Sequence, residues 1–150
     1  MQSPHRERTP IRVLLVEDSP GDVRLTLEAF RSVNPGIRFH VATDGVEAMA
    51  YLRREGDHKD AFRPDLILLD LKLPRMDGHE VLAEIKKDDS LKAIPTVVLT
   101  TSDREGDVSL SYEFQANCHL RKPAQWDDFD KIVRWINDFW LTKVQSSQGA

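Results

Sequence analysis

The chain has 150 residues, 40% of them hydrophobic, enough for one substantial core and no more. Charged residues make up 31% and leave a net charge of −4 with no basic stripe, so nothing electrostatic points to a nucleic acid or a membrane as partner. A single cysteine, Cys118, excludes an internal disulfide, residues 1–10 lack the apolar run of a signal peptide, and no segment is long enough to cross a bilayer, so a cytoplasmic protein is expected.

Residues 1–9 read as a flexible arm, residues 10–144 as one domain and residues 145–150 as a disordered tail. The run Ile11-Arg12-Val13-Leu14-Leu15-Val16 is short, apolar and β-branched, as in a strand buried on both faces of a parallel sheet. Glu17-Asp18 ends it. Ser19-Pro20 reads as a helix N-cap followed by proline at the first helical position, and Val23, Leu27 and Phe30 continue at helical spacing until Asn34-Pro35-Gly36. A weaker strand at 37–42, a helix at 45–55 and a polar loop at 56–64 follow. Residues 65–70 hold the most hydrophobic strand, Leu66-Ile67-Leu68-Leu69, and a proline-bearing loop leads to a helix over Gly78–Lys87. Thr96–Thr100 is the next strand, and a helix carrying Val108 and Tyr112 comes after it. A short strand at Cys118–Arg121 then precedes Lys122-Pro123 and a long terminal helix at 127–143. Strand–helix alternation of this kind implies right-handed crossovers and an open parallel sheet with helices on both faces.

In such a sheet, ligands bind at the carboxyl ends of the strands, near the point where strand order reverses. The informative polar residues fall at those ends: Glu17 and Asp18 after the first strand, Asp70 after the third, Thr100 at the end of the fourth and Lys122 after the fifth. Three carboxylates in one crevice repel one another, and a divalent cation relieves that repulsion. A hard, oxygen-only donor set with room for water suits Mg2+ better than Zn2+. Asp70 is then placed to act as a nucleophile toward a phosphoryl group, giving an acyl phosphate. Mg2+ and the Lys122 ammonium would offset charge on the phosphoryl oxygens, and the Thr100 hydroxyl would hydrogen-bond one of them. The added charge of roughly −1.5 to −2 is enough to reposition a loop, which describes a switch.

At these residues the chain resembles the receiver domains of two-component response regulators. The resemblance rests on Val16-Glu17-Asp18-Ser19, on Leu69-Asp70-Leu71-Lys72-Leu73-Pro74-Arg75-Met76-Asp77-Gly78, on Ile94-Pro95 before Val97-Val98-Leu99-Thr100, and on Lys122-Pro123. Each piece is weak alone, but their order and spacing are specific. The resemblance implies a flavodoxin-like (βα)5 fold, a doubly wound five-stranded parallel sheet with strand order 2-1-3-4-5. It implies Asp70 as phosphoacceptor; Glu17, Asp18, Asp70 and the backbone carbonyl of Lys72 as Mg2+ ligands; and Thr100, Thr101 and Lys122 as the phosphate-binding and switch residues. It also implies a cis bond before Pro123, the isomer that only proline makes accessible. The chain departs from the family where an aromatic switch residue is usual, since that position is His119. Lys72, two residues after the phosphoacceptor, sits where the family tunes the lifetime of the phosphorylated form.

The long loop before Pro64, Leu99-Thr100-Thr101-Ser102, Ala116-Asn117 and Ile136-Asn137-Asp138-Phe139-Trp140 resemble the small single-domain receivers that partner phytochrome-type histidine kinases. The expected function is therefore phosphoryl transfer from a sensor histidine kinase to Asp70 with Mg2+, relayed by protein–protein contact. No attached output domain is expected, and the chain is expected to catalyse only its own phosphorylation and dephosphorylation.

Two other readings fit less well. A small-molecule phosphatase working through an aspartyl phosphate needs a general acid two residues after the nucleophile, where this chain has Lys72. A flavin or nucleotide carrier needs a glycine- or hydroxyl-rich phosphate loop after the first strand, where Glu17-Asp18 would repel phosphate. His5, His40, His58 and His79 lack metal-ligand spacing and read as surface residues, and Cys118 as a small buried apolar residue. On the terminal helix, Phe129, Val133, Ile136 and Trp140 form the core stripe. Ile132, Trp135 and Phe139 widen it beyond the ~100° of a one-sided surface helix. Trp135 could instead pack beneath a loop, but a homodimer is expected through these three residues and the adjoining face of the fifth strand and the helix before it.

Overall fold

In the computed structural model, which describes residues 10–100, 118–122 and 126–141, the most apolar runs of the chain lie side by side at the middle of a sheet. Strand β1 (Arg12–Val16) pairs with β3 (Leu66–Leu69) on one side and β2 (Arg38–Ala42) on the other. Beyond β3 come β4 (Thr96–Thr100) and β5 (Cys118–Arg121). Every pairing is parallel and the order is β2-β1-β3-β4-β5, as expected. All four residues of β3 and four of the five in β1 are buried, because helices cover both faces and leave no side for polar residues.

The pleat divides the core in two. Leu14, Val16, Ile67, Leu69 and Val98 face helices α2 (Gly45–Leu52) and α3 (Gly78–Lys87), meeting Ala48, Met49, Val81, Leu82 and Ile85. The alternate residues Val13, Leu15, Leu66, Leu68, Val97 and Leu99 face α1 (Pro20–Val33) and the last helix, α4 (Trp126–Ile136), meeting Phe30, Phe129, Val133 and Ile136. Period-two alternation in a strand buried on both faces thus builds two cores from one sheet.

Helix boundaries follow capping chemistry. Ser19 caps α1, its Oγ accepting the Asp22 N–H at 3.3 Å, with Pro20 at the first helical position. Asp44 caps α2 through the Glu47 N–H at 2.8 Å. This helix ends at Leu52, earlier than its expected end at residue 55, because Arg54 adopts a left-handed conformation (φ 57°). The Arg54 N–H then bonds the Tyr51 carbonyl at 3.1 Å and the Glu55 N–H the Ala50 carbonyl at 2.9 Å, the paired bonds of a Schellman turn. Gly56–His58 forms one 3-10 turn inside the expected polar loop. After Ile136 the terminal helix widens to π-type winding over Asn137–Leu141, where Asn137 Oδ1 accepts from Asn34 Nδ2 at 3.0 Å and ties this segment to the end of α1.

The histidines depart from the surface reading. His40 on β2 stacks on Tyr51 (centroids 3.9 Å apart, planes 14°), and His58 meets both rings edge-on. Burial lowers the His40 pKa, His58 adds to the fall and Glu47 opposes it. His79 is half-buried and its Nδ1 lies 3.1 Å from Asp77 Oδ2. The contacts of His40 come from side chains on different elements, which no local spacing announces, whereas His79 meets an acid only two residues before it. The arm, the tail and the helix expected around Val108 and Tyr112 lie outside the described residues, as does His5.

Candidate functional site

The reversal of strand order falls between β1 and β3, and the polar strand ends converge there. Main-chain bonds that extend the ladder set the two acidic loops: the Glu17 N–H donates to the Ala42 carbonyl and the Asp70 N–H to the Val16 carbonyl, each at 3.0 Å. The loop after β3 returns on itself where the Gly78 N–H meets the Leu71 carbonyl at 3.0 Å, and the Lys72 N–H donates to Asp70 Oδ1 at 3.2 Å. Arg75 in the same loop reaches Asp44 at 3.2 Å, joining it to the cap of α2.

Glu17, Asp18 and Asp70 each offer an oxygen, and the three lie within 4.8 Å of one another. Their burial differs: Glu17 is buried, Asp70 partly so and Asp18 exposed. Lys122 enters from the end of β5 with its side chain only 4% accessible. Its ammonium makes a short ion pair with Glu17, another with Asp22 at 3.0 Å and a longer one with Asp70 at 3.6 Å. Burial raises the Glu17 carboxyl to about 7, with Asp70 adding to the rise and Lys122 opposing it. For Lys122, burial pulls the pKa down, but the hydrogen bond to Glu17 and the charges around it outweigh burial and leave the ammonium above its ordinary value.

The donor set fits a hard divalent cation. It is all oxygen, and Glu17 is a buried carboxyl whose charged form a cation would stabilise.

The structure therefore brings together Glu17, Asp18, Asp70 and Lys122 from the ends of three strands. Lys72 adds its N–H to Asp70 while its side chain is exposed. Thr100 ends β4, in register with Arg121, and His119 on β5 pairs with Val98. The side chains of Thr100 and His119, together with Thr101 and the Lys122–Pro123 bond, lie outside the described residues. Ile132 on α4 packs against the core, whereas Trp135 on α4 and Phe139 in the π-wound turn after it, each 42% accessible, stack on each other with centroids 5.1 Å apart and planes 8° apart. Asp22 is the residue that reading along the chain misses. An acid in the first turn of a helix is amply explained by the helix dipole, and its lysine partner stands 100 positions away.

A parallel five-stranded sheet with acids and a lysine at its carboxyl edge defines a receiver, and residues 13–134 match the response regulator receiver domain family, to which this chain belongs. It is a signalling family, consistent with two-component systems. The chain is closely related to phytochrome response regulators. It is 48% identical over 135 residues to response regulator Rcp1 of Synechocystis sp. (strain ATCC 27184 / PCC 6803 / Kazusa), covering 90% of this chain and 92% of that protein. The phosphorylated cyanobacterial phytochrome response regulator RcpA superposes with a TM-score of 0.86 at 48% identity, covering 90% of this chain and 96% of the other. The Mn2+-bound form of Rcp1 gives 0.83 at 48% identity, covering 88% and 95%. No helix among the described residues is long and apolar enough to cross a membrane.

Proposed function

We propose that Asp70 accepts a phosphoryl group from the phosphohistidine of a phytochrome-type sensor kinase, and that the chain passes the signal on by protein–protein contact. One observation carries this reading: Asp70 shares its crevice with two further acids whose ligand oxygens lie within 4.8 Å and with a buried ammonium 3.6 Å away. An Asp70 carboxylate oxygen attacks phosphorus, the P–O bond forms as the donor's P–N bond breaks, and the imidazole leaves with a proton from solvent. Glu17, Asp18, Asp70 and the Lys72 carbonyl would hold a divalent cation, Mg2+ by the hardness of the donors, which supplies charge neutralisation at the phosphoryl oxygens. Lys122 would take a share of that charge, and Thr100 and Thr101 would provide hydroxyls to the phosphoryl oxygens. His119 occupies the switch position in place of an aromatic residue and brings a ring that can titrate. Lys72 projects from the acceptor loop where it can alter the rate of water attack; equal dephosphorylation half-lives for wild type and Lys72→Ala would remove it from that role.

The relatedness to RcpA supports the phytochrome-type kinase. The exposed Trp135–Phe139 pair, with Ile132 beside it, supports a homodimer face that includes the terminal helix and the region around β5. The acceptor role is tested by intact mass after incubation with phosphoramidate. Wild type gains one phosphoryl group with Mg2+ and none with EDTA, and Asp70→Asn gains none. An equal gain by the variant contradicts the assignment.

A further inference from the structure

Lys122 is paired more heavily than acceptor chemistry requires. Of its three carboxylate partners, Glu17 and Asp70 belong to the cation-binding acids, whereas Asp22 does not. Asp22 stands in the first turn of α1, its N–H held by Ser19 Oγ at 3.3 Å. Its carboxylate is 29% accessible and accepts from Lys122 Nζ at 3.0 Å, closer than the 3.6 Å to Asp70. An acid at this helical position offsets the dipole without any lysine, so the ion pair is a separate feature. Of the three N–H donors of the ammonium, Glu17 and Asp22 each accept one, whereas Asp70 attracts it by charge from 3.6 Å. A cation seated on Glu17, Asp18 and Asp70 would repel the ammonium and occupy two of its three partners, leaving Asp22 as the carboxylate that still holds it.

We propose that Asp22 is a positioning residue that restrains Lys122, so that phosphorylation of Asp70 requires the ammonium to exchange the Asp22 carboxylate for a phosphoryl oxygen. The inference rests on Asp70 being the acceptor. Two effects act in the same direction. The ammonium held by Asp22 is less available to the incoming group, and a fourth carboxylate in the crevice repels a phosphoryl dianion. The exchange also releases Asp22 from its partner, which places the readout of the acceptor's state on the first turn of α1.

The test compares phosphorylation rates with phosphoramidate at saturating Mg2+ for wild type, Asp22→Asn and Asp22→Glu, each also combined with Lys122→Met. Asp22→Asn is expected to be about three- to fivefold faster than wild type, the size of one partly exposed ion pair. Asp22→Glu keeps the charge and is expected to match wild type. Each variant is assayed at its own saturating Mg2+, fixed by calorimetry, so that a change in cation affinity does not enter the rate. In the Lys122→Met background the acceleration shrinks to the part that comes from direct charge repulsion, since the restraint acts through the lysine. An Asp22→Asn rate equal to or below wild type overturns the proposal, as does an acceleration undiminished by Lys122→Met. If Lys122→Met does not fold, a crystal structure of Asp22→Asn decides: Nζ closer to Asp70 supports the restraint and an unmoved Nζ refutes it. Wild-type protein that takes no phosphoryl group, or takes it equally as Asp70→Asn, defeats the acceptor reading and this inference together. Normal wild-type phosphorylation with no effect of Asp22→Asn defeats this inference alone.

Discussion

Gly78 tests whether the acceptor loop depends on close backbone packing. A methyl group at this position would overlap the Asp70 carbonyl oxygen and lie 2.5 Å from Leu71 Cα and 2.9 Å from the Leu71 oxygen. Carbon atoms in good contact sit about 3.5–4.0 Å apart, so the loop must shift by roughly an ångström to admit it. All three obstacles are main-chain atoms beside the buried Leu71, and none can rotate away as a flexible side chain would. Overpacking of this kind costs about 1–3 kcal/mol, and Gly78→Ala belongs near 3. Gly21 in the first turn of α1 is the internal control, since a methyl there meets no atom within 4 Å. Gly21→Ala should stabilise by about 0.5–1 kcal/mol by restricting the unfolded chain. Urea denaturation of both variants is expected to separate them by about 4 kcal/mol, the sum of those two effects. Because the displaced carbonyl belongs to Asp70 itself, Gly78→Ala should also slow phosphorylation at a temperature where it remains folded. A Gly78→Ala protein within about 1 kcal/mol of wild type and normally phosphorylated would refute the reasoning.

Removing one acid from the cation set, as Glu17→Gln or Asp18→Asn, should weaken Mn2+ or Mg2+ binding by on the order of tenfold or more in calorimetry, since even an outer-shell partner is worth that much. Unchanged affinity would exclude that acid. His40 resists protonation in the fold because it is buried, so its contribution to stability is fully present above the unfolded pKa of about 6.5 and is lost as pH falls through that value toward the lower folded one. Denaturation midpoints at pH 7.5 and 5.5 should fall further for wild type than for His40→Phe, which keeps the ring against Tyr51 without the titration; an equal fall for both would count against it. Trp135→Ala with Phe139→Ala should yield a monomer in sedimentation at concentrations where wild type is dimeric, and a wild type that is monomeric whether phosphorylated or not removes the dimer face.

What could be read along the chain is what depends on neighbours in sequence. β1 and β3 are legible as continuous apolar runs because both of their faces are covered. Ser19-Pro20 announces α1 because a capping hydroxyl and a proline act within one turn. Glu17, Asp18, Asp70 and Lys122 are legible because a parallel sheet gathers its strand ends on one edge. Contacts between distant elements are not legible. Asp22 meets Lys122 only once the end of β5 reaches the first turn of α1. His40, Tyr51 and His58 meet across β2, α2 and the turn that follows. Gly45 reads as part of a helix start, yet its lack of a side chain is what lets the acceptor loop approach, since a methyl there would lie 2.7 Å from Met76 Cβ. The early end of α2 was hidden because Arg54 takes the left-handed position that glycine usually fills, while Gly56, the visible stop signal, comes two residues later.

The most direct test of the account is where the phosphoryl group resides. Wild-type protein would be phosphorylated with phosphoramidate and Mg2+, reduced with borohydride to convert an acyl phosphate to an alcohol, digested and sequenced by mass spectrometry. The account predicts a single reduced residue at Asp70, with Glu17, Asp18 and Asp22 unmodified. Reduction at one of those acids, or an adduct that is stable to alkali and maps to a hydroxyl or histidine side chain, would contradict it.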